Sequence, residues 1–352
     1  MNVTIDRMPR RPLGHWPTPL EDMRRLSKNL RGPRILIKRD DCTGLGTGGN
    51  KARKLEYFVA DALANNADTL VTLGANQSNH SRQTAAAAAR YGLRCEIVAV
   101  NRVPIETAEY RQSGNRLLTE IFGANVLEIS LEADPQATLD LVASSVRQSG
   151  GVPYVIPFGG SNAVGALGYV QAASELLSQF EQQELQVDAI VHASGSGGTQ
   201  AGLLAGLRSI GSSIPVLGIC VVEDASGLAD TVLTLAQETA AKIGADIRLT
   251  DKDVSVSGDY VGKAYGIPTP AAIDAIERVA TEEGILLDPV YSGKAMAGLI
   301  DLVQVGKFDQ SQTIVFLHTG GSAALFSYVD DIRRRADGGA SSTTTTLESY
   351  IE

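Results

Sequence analysis

Along the chain, short apolar or alternating runs take turns with stretches whose apolar residues recur at helical spacing. RILIKRDD (34–41) alternates as a strand does, and glycines 44, 46, 48 and 49 then make a loop. KARKLEYFVADALANNA follows with Leu55, Phe58, Val59 and Ala62 on one helical stripe, and DTLVTLGA is a short apolar strand. SRQTAAAAARYG is built of helix formers and ends on Gly92, suited to a left-handed helix terminus, before RCEIVAV resumes as a strand. Residues 151–180 read as strand, glycine turn and long helix; residues 187–210 repeat that plan, and PVLGICVV is the next strand. AAIDAIERVATEEG and AMAGLIDLVQVG predict two helices, and TIVFLHTGG a strand ending in a glycine turn. Such alternation implies an α/β class with parallel sheets covered by helices. Beyond Tyr328, charge and a serine- and threonine-rich run predict a mobile tail, because that composition buries too little apolar surface to offset ordering entropy.

Composition narrows the partners. The 352 residues are 43% hydrophobic and 20% charged, enough for a large core divided over two domains. A net charge of −9 argues against nucleic acid and acidic membranes as partners. Cys42, Cys95 and Cys220 are far apart, which fits a reducing compartment, and the N-terminus has no apolar signal core. A cytoplasmic protein with a small-molecule partner is expected. The four histidines make no HxxxH or HExxH pair, so no metal site is expected.

Four polar loops remain as candidate chemistry. HASGSGGTQAG (192–202) follows an apolar strand and opens a helix. Gly195, Gly197 and Gly198 allow close approach of an anion, while Ser194, Ser196 and Thr199 add hydroxyls at a helix N-terminus, which makes a phosphate cradle. A plain strand-to-helix turn is the bland alternative. A dinucleotide site is a rival, since Glu223 follows the next strand, but the glycines run GxGG rather than GxGxxG. GANQSNHSRQ places Gln77, Ser78, Asn79 and His80 at the carboxyl end of a strand and the start of a helix, where open α/β sheets bind ligands; N-capping by Ser78 or Asn79 would explain one of the four. DPVYSGKAMAGL sets Tyr291, Ser292 and Lys294 on a glycine turn before a helix, and Thr319 follows the last strand; both suit plain turns as well as a planar ligand. Lys51, taken alone, is a solvated loop lysine. Beside a phosphate cradle, and with no histidine, cysteine or metal set to supply chemistry, it becomes the economical nucleophile for a Schiff base with a pyridoxal cofactor.

These residues resemble the fold-type II pyridoxal 5′-phosphate enzymes (tryptophan synthase β-like) of the branch holding D-cysteine desulfhydrases, L-cysteate sulfo-lyases and 1-aminocyclopropane-1-carboxylate deaminases. The motifs KRDD, GGNKARKLEY, QSNHSRQTAA, GGSNAVGALGY, GILLDPVYSGKAMAGL and HTGG carry the likeness, in order, over nearly the whole chain. It implies two α/β domains, each an open, mostly parallel sheet flanked by helices. Residues 1–52 with 160–330 would form the large cofactor-binding domain, 53–159 the small one and 331–352 the tail. It also implies a homodimer and an amino-acid substrate.

By motif position, Lys51 would be the Schiff-base lysine, with Lys54 and the loop Ser194, Gly195, Ser196, Gly197, Gly198 and Thr199 on the cofactor phosphate. Asn79 would meet the pyridoxal 3′ oxygen, Tyr291 the ring and Thr319 the pyridine nitrogen. Gln77, Ser78, Asn79, His80, Ser161 and Ser292 would surround the substrate, with Ser78 and Tyr291 joining Lys51 in catalysis. The deaminase pattern has Glu and Leu where this chain has Ser292 and Thr319, which points to the carbon–sulfur lyases. Gly44 and Thr47 look closer to the sulfo-lyase pattern. The expected reaction is β-elimination from L-cysteate or D-cysteine, with ring-opening deamination and a dinucleotide oxidoreductase as alternatives, and a silent amino-acid sensor as a third class.

Overall fold

The structure, a computed structural model, describes residues 4–333. The tail expected over 331–352 lies, from residue 334 onward, outside the described residues. Ten strands are described: β1 (Leu20–Asp22), β2 (Arg34–Arg39), β3 (Thr69–Ala75), β4 (Arg94–Val100), β5 (Asn125–Ile129), β6 (Pro153–Val155), β7 (Ala189–Ser194), β8 (Val216–Cys220), β9 (Ser255–Ser257) and β10 (Thr313–His318). Between them run α1 (Arg24–Leu30), α2 (Lys51–Ala64), α3 (Asn79–Arg90), α4 (Ala108–Gln112), α5 (Gly114–Ile121), α6 (Pro135–Gln148), α7 (Ala163–Gln182), α8 (Gly198–Ser209), α9 (Ala225–Lys242), α10 (Pro270–Glu283) and α11 (Ser292–Gln304).

The strands form two sheets, one ordered β1-β2-β10-β7-β8-β9 and one ordered β5-β4-β3-β6. All pairs are parallel except β1 with β2. Parallel strands joined by helical crossovers are covered on both faces, and the side chains sort accordingly. In β10, Val315 and Leu317 enter the core formed with α7, α8 and α9, while Ile314 and Phe316 enter the one formed with α10 and α11. In β3, Leu70 packs with α2 and α3, and Val71 and Leu73 pack with Leu139 of α6 on the other face. The period of two thus decides which helix layer each residue meets.

One helix start differs from the sequence reading and one agrees with it. Helix α11 begins at Ser292, so Ser292 and Lys294 lie in its first turn and not on a turn before it. Ser78 caps α3, its side chain accepting from the Ser81 N–H, so Asn79 and His80 belong to that helix's first turn. Among the described residues, no helix is long and apolar enough to cross a membrane.

Candidate active site

Loops following β2, β3, β7 and β10 converge on one cavity of about 710 Å³, open mouth included. Its wall carries Lys51, Ser78, Asn79 and His80, the Ser194–Gly197 loop with Thr199, and Tyr265, Tyr291 and Thr319.

Lys51 is the first residue of α2, and glycines set its approach. Gly48 has φ +79, and a Cβ there would stand 1.8 Å from the Asp41 carbonyl oxygen, so only glycine fits this turn. Asn50 then joins three elements: its backbone N–H donates to Thr319 O (2.9 Å) and its Nδ2 to Thr199 Oγ1 (3.1 Å). Lys51 Nζ donates to Gly159 O at 2.9 Å, and Lys54, one turn on along the same face, donates to that oxygen at 3.2 Å and to Ser161 Oγ at 3.2 Å. Burial lowers Lys51 to about 8. Burial, then the charge of Lys51, pushes Lys54 well below the usual lysine range. Arg53 faces away into a buried cluster with Asp40 and Glu175.

The Ser194–Thr199 loop has the features of an anion cradle. Ser194 Oγ is buried with no hydrogen-bond partner, and α8 starts after Gly197 (φ +77) with no side-chain cap. A Cβ on Gly198 would lie 2.7 Å from Ser161 Oγ and 2.9 Å from Lys54 Nζ, so the missing side chain lets loop and lysine close together. Ser161 does not line the cavity; its hydroxyl donates to Ser196 Oγ (2.7 Å) and accepts from Lys54 and the Gly198 N–H, bracing the cradle. An orphaned hydroxyl, an uncapped helix start and a lysine fit a phosphate, with the Lys51 amine in the same cavity for an aldehyde carbon. Glu223 is engaged with the Tyr265 N–H (2.8 Å) and Arg102 (3.4 Å) rather than set for a ribose, so the dinucleotide rival loses its acid.

The second polar loop divides. Ser78, Asn79 and His80 line the cavity, but Gln77 does not: its Nε2 donates to the carbonyls of Tyr110 (2.6 Å) and Ser113 (3.0 Å), and its Oε1 accepts from the Asn115 N–H (2.9 Å). Gln77 anchors the segment that leads into α5. Thr72 Oγ1 donates to Ile156 O, so the His80 Nε2 beside it (2.9 Å) is the N–H and Nδ1 keeps its lone pair, which is buried and without a partner. Burial, and then Lys51 and Lys54, drive His80 well below 6.5, so the ring is neutral.

Ser292 also stands apart from the cavity. It is 1% exposed, and its hydroxyl donates to Asp288 Oδ1 (2.6 Å) and accepts from the Asp288 N–H (2.8 Å), closing the turn into α11. The structure thus places Ser292 in the turn, outside the residues that line the cavity. Gly44 and Thr47 are exposed and do not line the cavity either. Sequence reasoning missed Tyr265, whose hydroxyl is hydrogen-bonded to that of Tyr291. It sits in an irregular loop, where no periodicity marks it. Burial, with Tyr265 adding to it, raises Tyr291 well above the usual phenol range and keeps it protonated.

Residues 12–320 match the family described as pyridoxal-phosphate dependent enzyme. The chain is 44% identical over 328 residues to D-cysteine desulfhydrases of Salmonella typhi and Salmonella enteritidis, covering 92% of this chain and 97% of theirs. A crystal structure of an ACC deaminase homologue superposes with a TM-score of 0.85 at 36% identity, covering 95% of this chain and 99% of that one. An O-ureido-L-serine synthase, 19% identical with a TM-score of 0.64 over 100% of this chain and 99% of the other, shares the fold. With the Lys51 cavity and its phosphate cradle in place, the chain belongs to the pyridoxal-phosphate-dependent enzymes of fold type II.

Proposed function

We propose that the protein catalyses β-elimination from a cysteine-like amino acid, with D-cysteine ahead of L-cysteate, giving pyruvate, ammonia and hydrogen sulfide. The observation that carries this reading is the make-up of the cavity wall: Lys51 is its one amine, the other polar groups are neutral hydroxyls, amides and an imidazole, and no Asp, Glu or Arg is among the described lining residues. With pyridoxal phosphate bound, a neutral Thr319 hydroxyl and no lining carboxylate would leave the ring a weaker electron sink, which would favour prompt elimination over transamination. No guanidinium in the wall pairs with a sulfonate, and the thiol of cysteine needs none. The desulfhydrase relatives agree.

Pyridoxal phosphate, held by Lys51 and the Ser194–Thr199 cradle with Lys54, supplies the electron sink for charge left at the substrate Cα. The chain does the rest. Lys51, with its basicity lowered to about 8, takes the Cα proton at a pH where much of the amine is neutral. Ser78 accepts from Ser81 and has its own proton free for the substrate carboxylate, with Asn79 beside it. As the Cβ–S bond breaks, the sulfur leaves with the electron pair, and the Tyr291 hydroxyl donates its proton to it. The aminoacrylate left behind takes up water to give pyruvate and ammonia.

L-Cysteate is the second reading, favoured only by Gly44 and Thr47. The test incubates the enzyme with D-cysteine, L-cysteine, L-cysteate and 1-aminocyclopropane-1-carboxylate, following pyruvate, 2-oxobutyrate, sulfide and sulfite. Fastest sulfide and pyruvate release from D-cysteine is expected, together with a visible-edge absorbance band that Lys51→Ala loses. Faster sulfite release from L-cysteate, or 2-oxobutyrate from the cyclopropane substrate, would reassign the reaction.

A further inference from the structure

One charged pair spans the two sheets beside the Lys51 cavity. Arg102 follows β4 of the four-stranded sheet and Glu223 follows β8 of the six-stranded one, with Arg102 Nη2 3.4 Å from Glu223 Oε2. Both line an outer depression together with Ala75 and Phe158, which also line the inner cavity, so the inner and outer spaces adjoin at Ala75 and Phe158, beside this pair.

Two more contacts run from the pair to Tyr265. The Arg102 guanidinium carbon lies 4.6 Å from the centre of the Tyr265 ring, a cation–π distance. Glu223 Oε1 accepts the Tyr265 backbone N–H at 2.8 Å. Tyr265 sits in a loop, residues 258–268, that has neither helix nor ladder to fix it. Among the side-chain hydrogen bonds that hold it are Lys294 Nζ on the carbonyls of Val261 (2.7 Å) and Ala264 (3.1 Å), Tyr328 Oη on Gly266 O (2.8 Å), Tyr260 Oη on Asp301 (2.6 Å) and Glu223 on Tyr265 itself, and Tyr265 also packs with Val103. Of these hydrogen bonds, the one continued to the other sheet is that of Glu223, through Arg102. The Tyr265 hydroxyl in turn meets the Tyr291 hydroxyl in the cavity.

We propose that Arg102 and Glu223 are positioning residues: an ionic latch between the two sheets, beside the cavity, that seats Tyr265 and, through it, the proton-donating hydroxyl of Tyr291. The proposal rests on the lyase reading for what Tyr291 does, and on the geometry alone for what the latch holds. A partly exposed pair is worth little in global stability, so its effect falls on the loop and not on folding.

The test uses the holoenzyme and its variants Arg102→Ala, Glu223→Gln and the double variant. For pyruvate formation each single variant is expected to lose about two- to five-fold in kcat, the range an exposed ion pair supplies, with KM little changed. The double variant falls no further than the weaker single. Salt at about 1 M, where the screening length is about 3 Å, brings the wild type toward the variants and leaves the variants unchanged. Amide exchange of the 261–268 segment, measured without substrate, is faster in both single variants. Multiplicative losses in the double variant, or unchanged exchange together with a salt-indifferent wild type, would overturn the latch. A wild type that makes no pyruvate from any of the four substrates refutes the lyase reading, and the exchange measurement still decides the latch.

Discussion

Arg53→Met tests the physics that sets α2, and with it Lys51. Arg53 is 3% exposed and forks onto Asp40 (Nε–Oδ2 and Nη2–Oδ1, both 2.8 Å) and Glu175 (Nη1–Oε2 and Nη2–Oε1, both 2.9 Å), with the Trp16 ring 4.2 Å from its guanidinium carbon. Lys38 joins through Glu175, so two cations face two carboxylates in the cluster. Removing one cation leaves a buried negative charge unpaired, which costs about 3–5 kcal/mol. Burial alone would raise Asp40, but Arg53, aided by Lys38 and the Tyr169 hydroxyl, outweighs it and holds the carboxyl below its ordinary 3.8; Glu175 is likewise held below 4.5. In the wild type this stabilisation is therefore complete above those ordinary values and is lost as pH falls through the lower folded-state values. In the variant the unpaired carboxyl titrates higher and takes up a proton in the folded state. The gap between wild type and variant is then largest at neutral pH and narrows on acidification by up to ~1.4 kcal/mol per pH unit. Urea unfolding followed by circular dichroism from pH 7 to pH 5 measures it. A loss below about 1 kcal/mol at pH 7, or a gap that widens toward acid, would refute the reasoning.

Three other outcomes follow from the geometry. Gly198→Ala places a Cβ 2.7 Å from Ser161 Oγ and 3.0 Å from its Cα, so the cradle is pushed open. Overpacking of ~1–3 kcal/mol weakens pyridoxal phosphate binding about ten- to hundred-fold, read by titrating apoprotein, while circular dichroism stays that of the wild type. Gly48→Ala combines φ +79 with a Cβ 1.8 Å from a backbone oxygen. A left-handed penalty plus overpacking gives about 2–5 kcal/mol of destabilisation by urea midpoint, and a variant as stable as wild type would contradict the structure. Because burial lowers Lys51 to about 8, the rate at which apoprotein develops visible absorbance on mixing with pyridoxal phosphate should be half-maximal near that pH. A midpoint near 10, the ordinary lysine value, would mean the amine is solvated.

Apolar pattern, with helix formers and glycine turns, located β2, β3, β4, β7, β8 and β10 and helices α2, α3, α7, α8, α10 and α11, because those elements are buried on a full face or on both. It left residues 101–150 unassigned. There β5 lies at a sheet edge with largely exposed side chains, and α4 is a five-residue helix, so neither presents the pattern that burial imposes. Glycine and hydroxyl composition singled out the phosphate cradle, since close backbone approach to an anion admits few other residues.

The phosphate cradle and the likeness of the motifs together pointed to Lys51, yet which of the neighbouring polar residues reach the cavity was decided by packing. Ser78, Asn79 and His80 face it, while Gln77 turns to Tyr110 and Ser113, and Ser292 closes onto Asp288. Arg53 and Lys54, adjacent in sequence and both basic, part because a helix advances each residue by about 100°: one enters the Asp40–Glu175 cluster, the other the cradle. The order of residues determined the fold class, the anion loop and the lysine. The tertiary structure decided the partners of each charge, because a hydrogen bond depends on direction and distance between segments far apart in the chain, which local pattern does not encode.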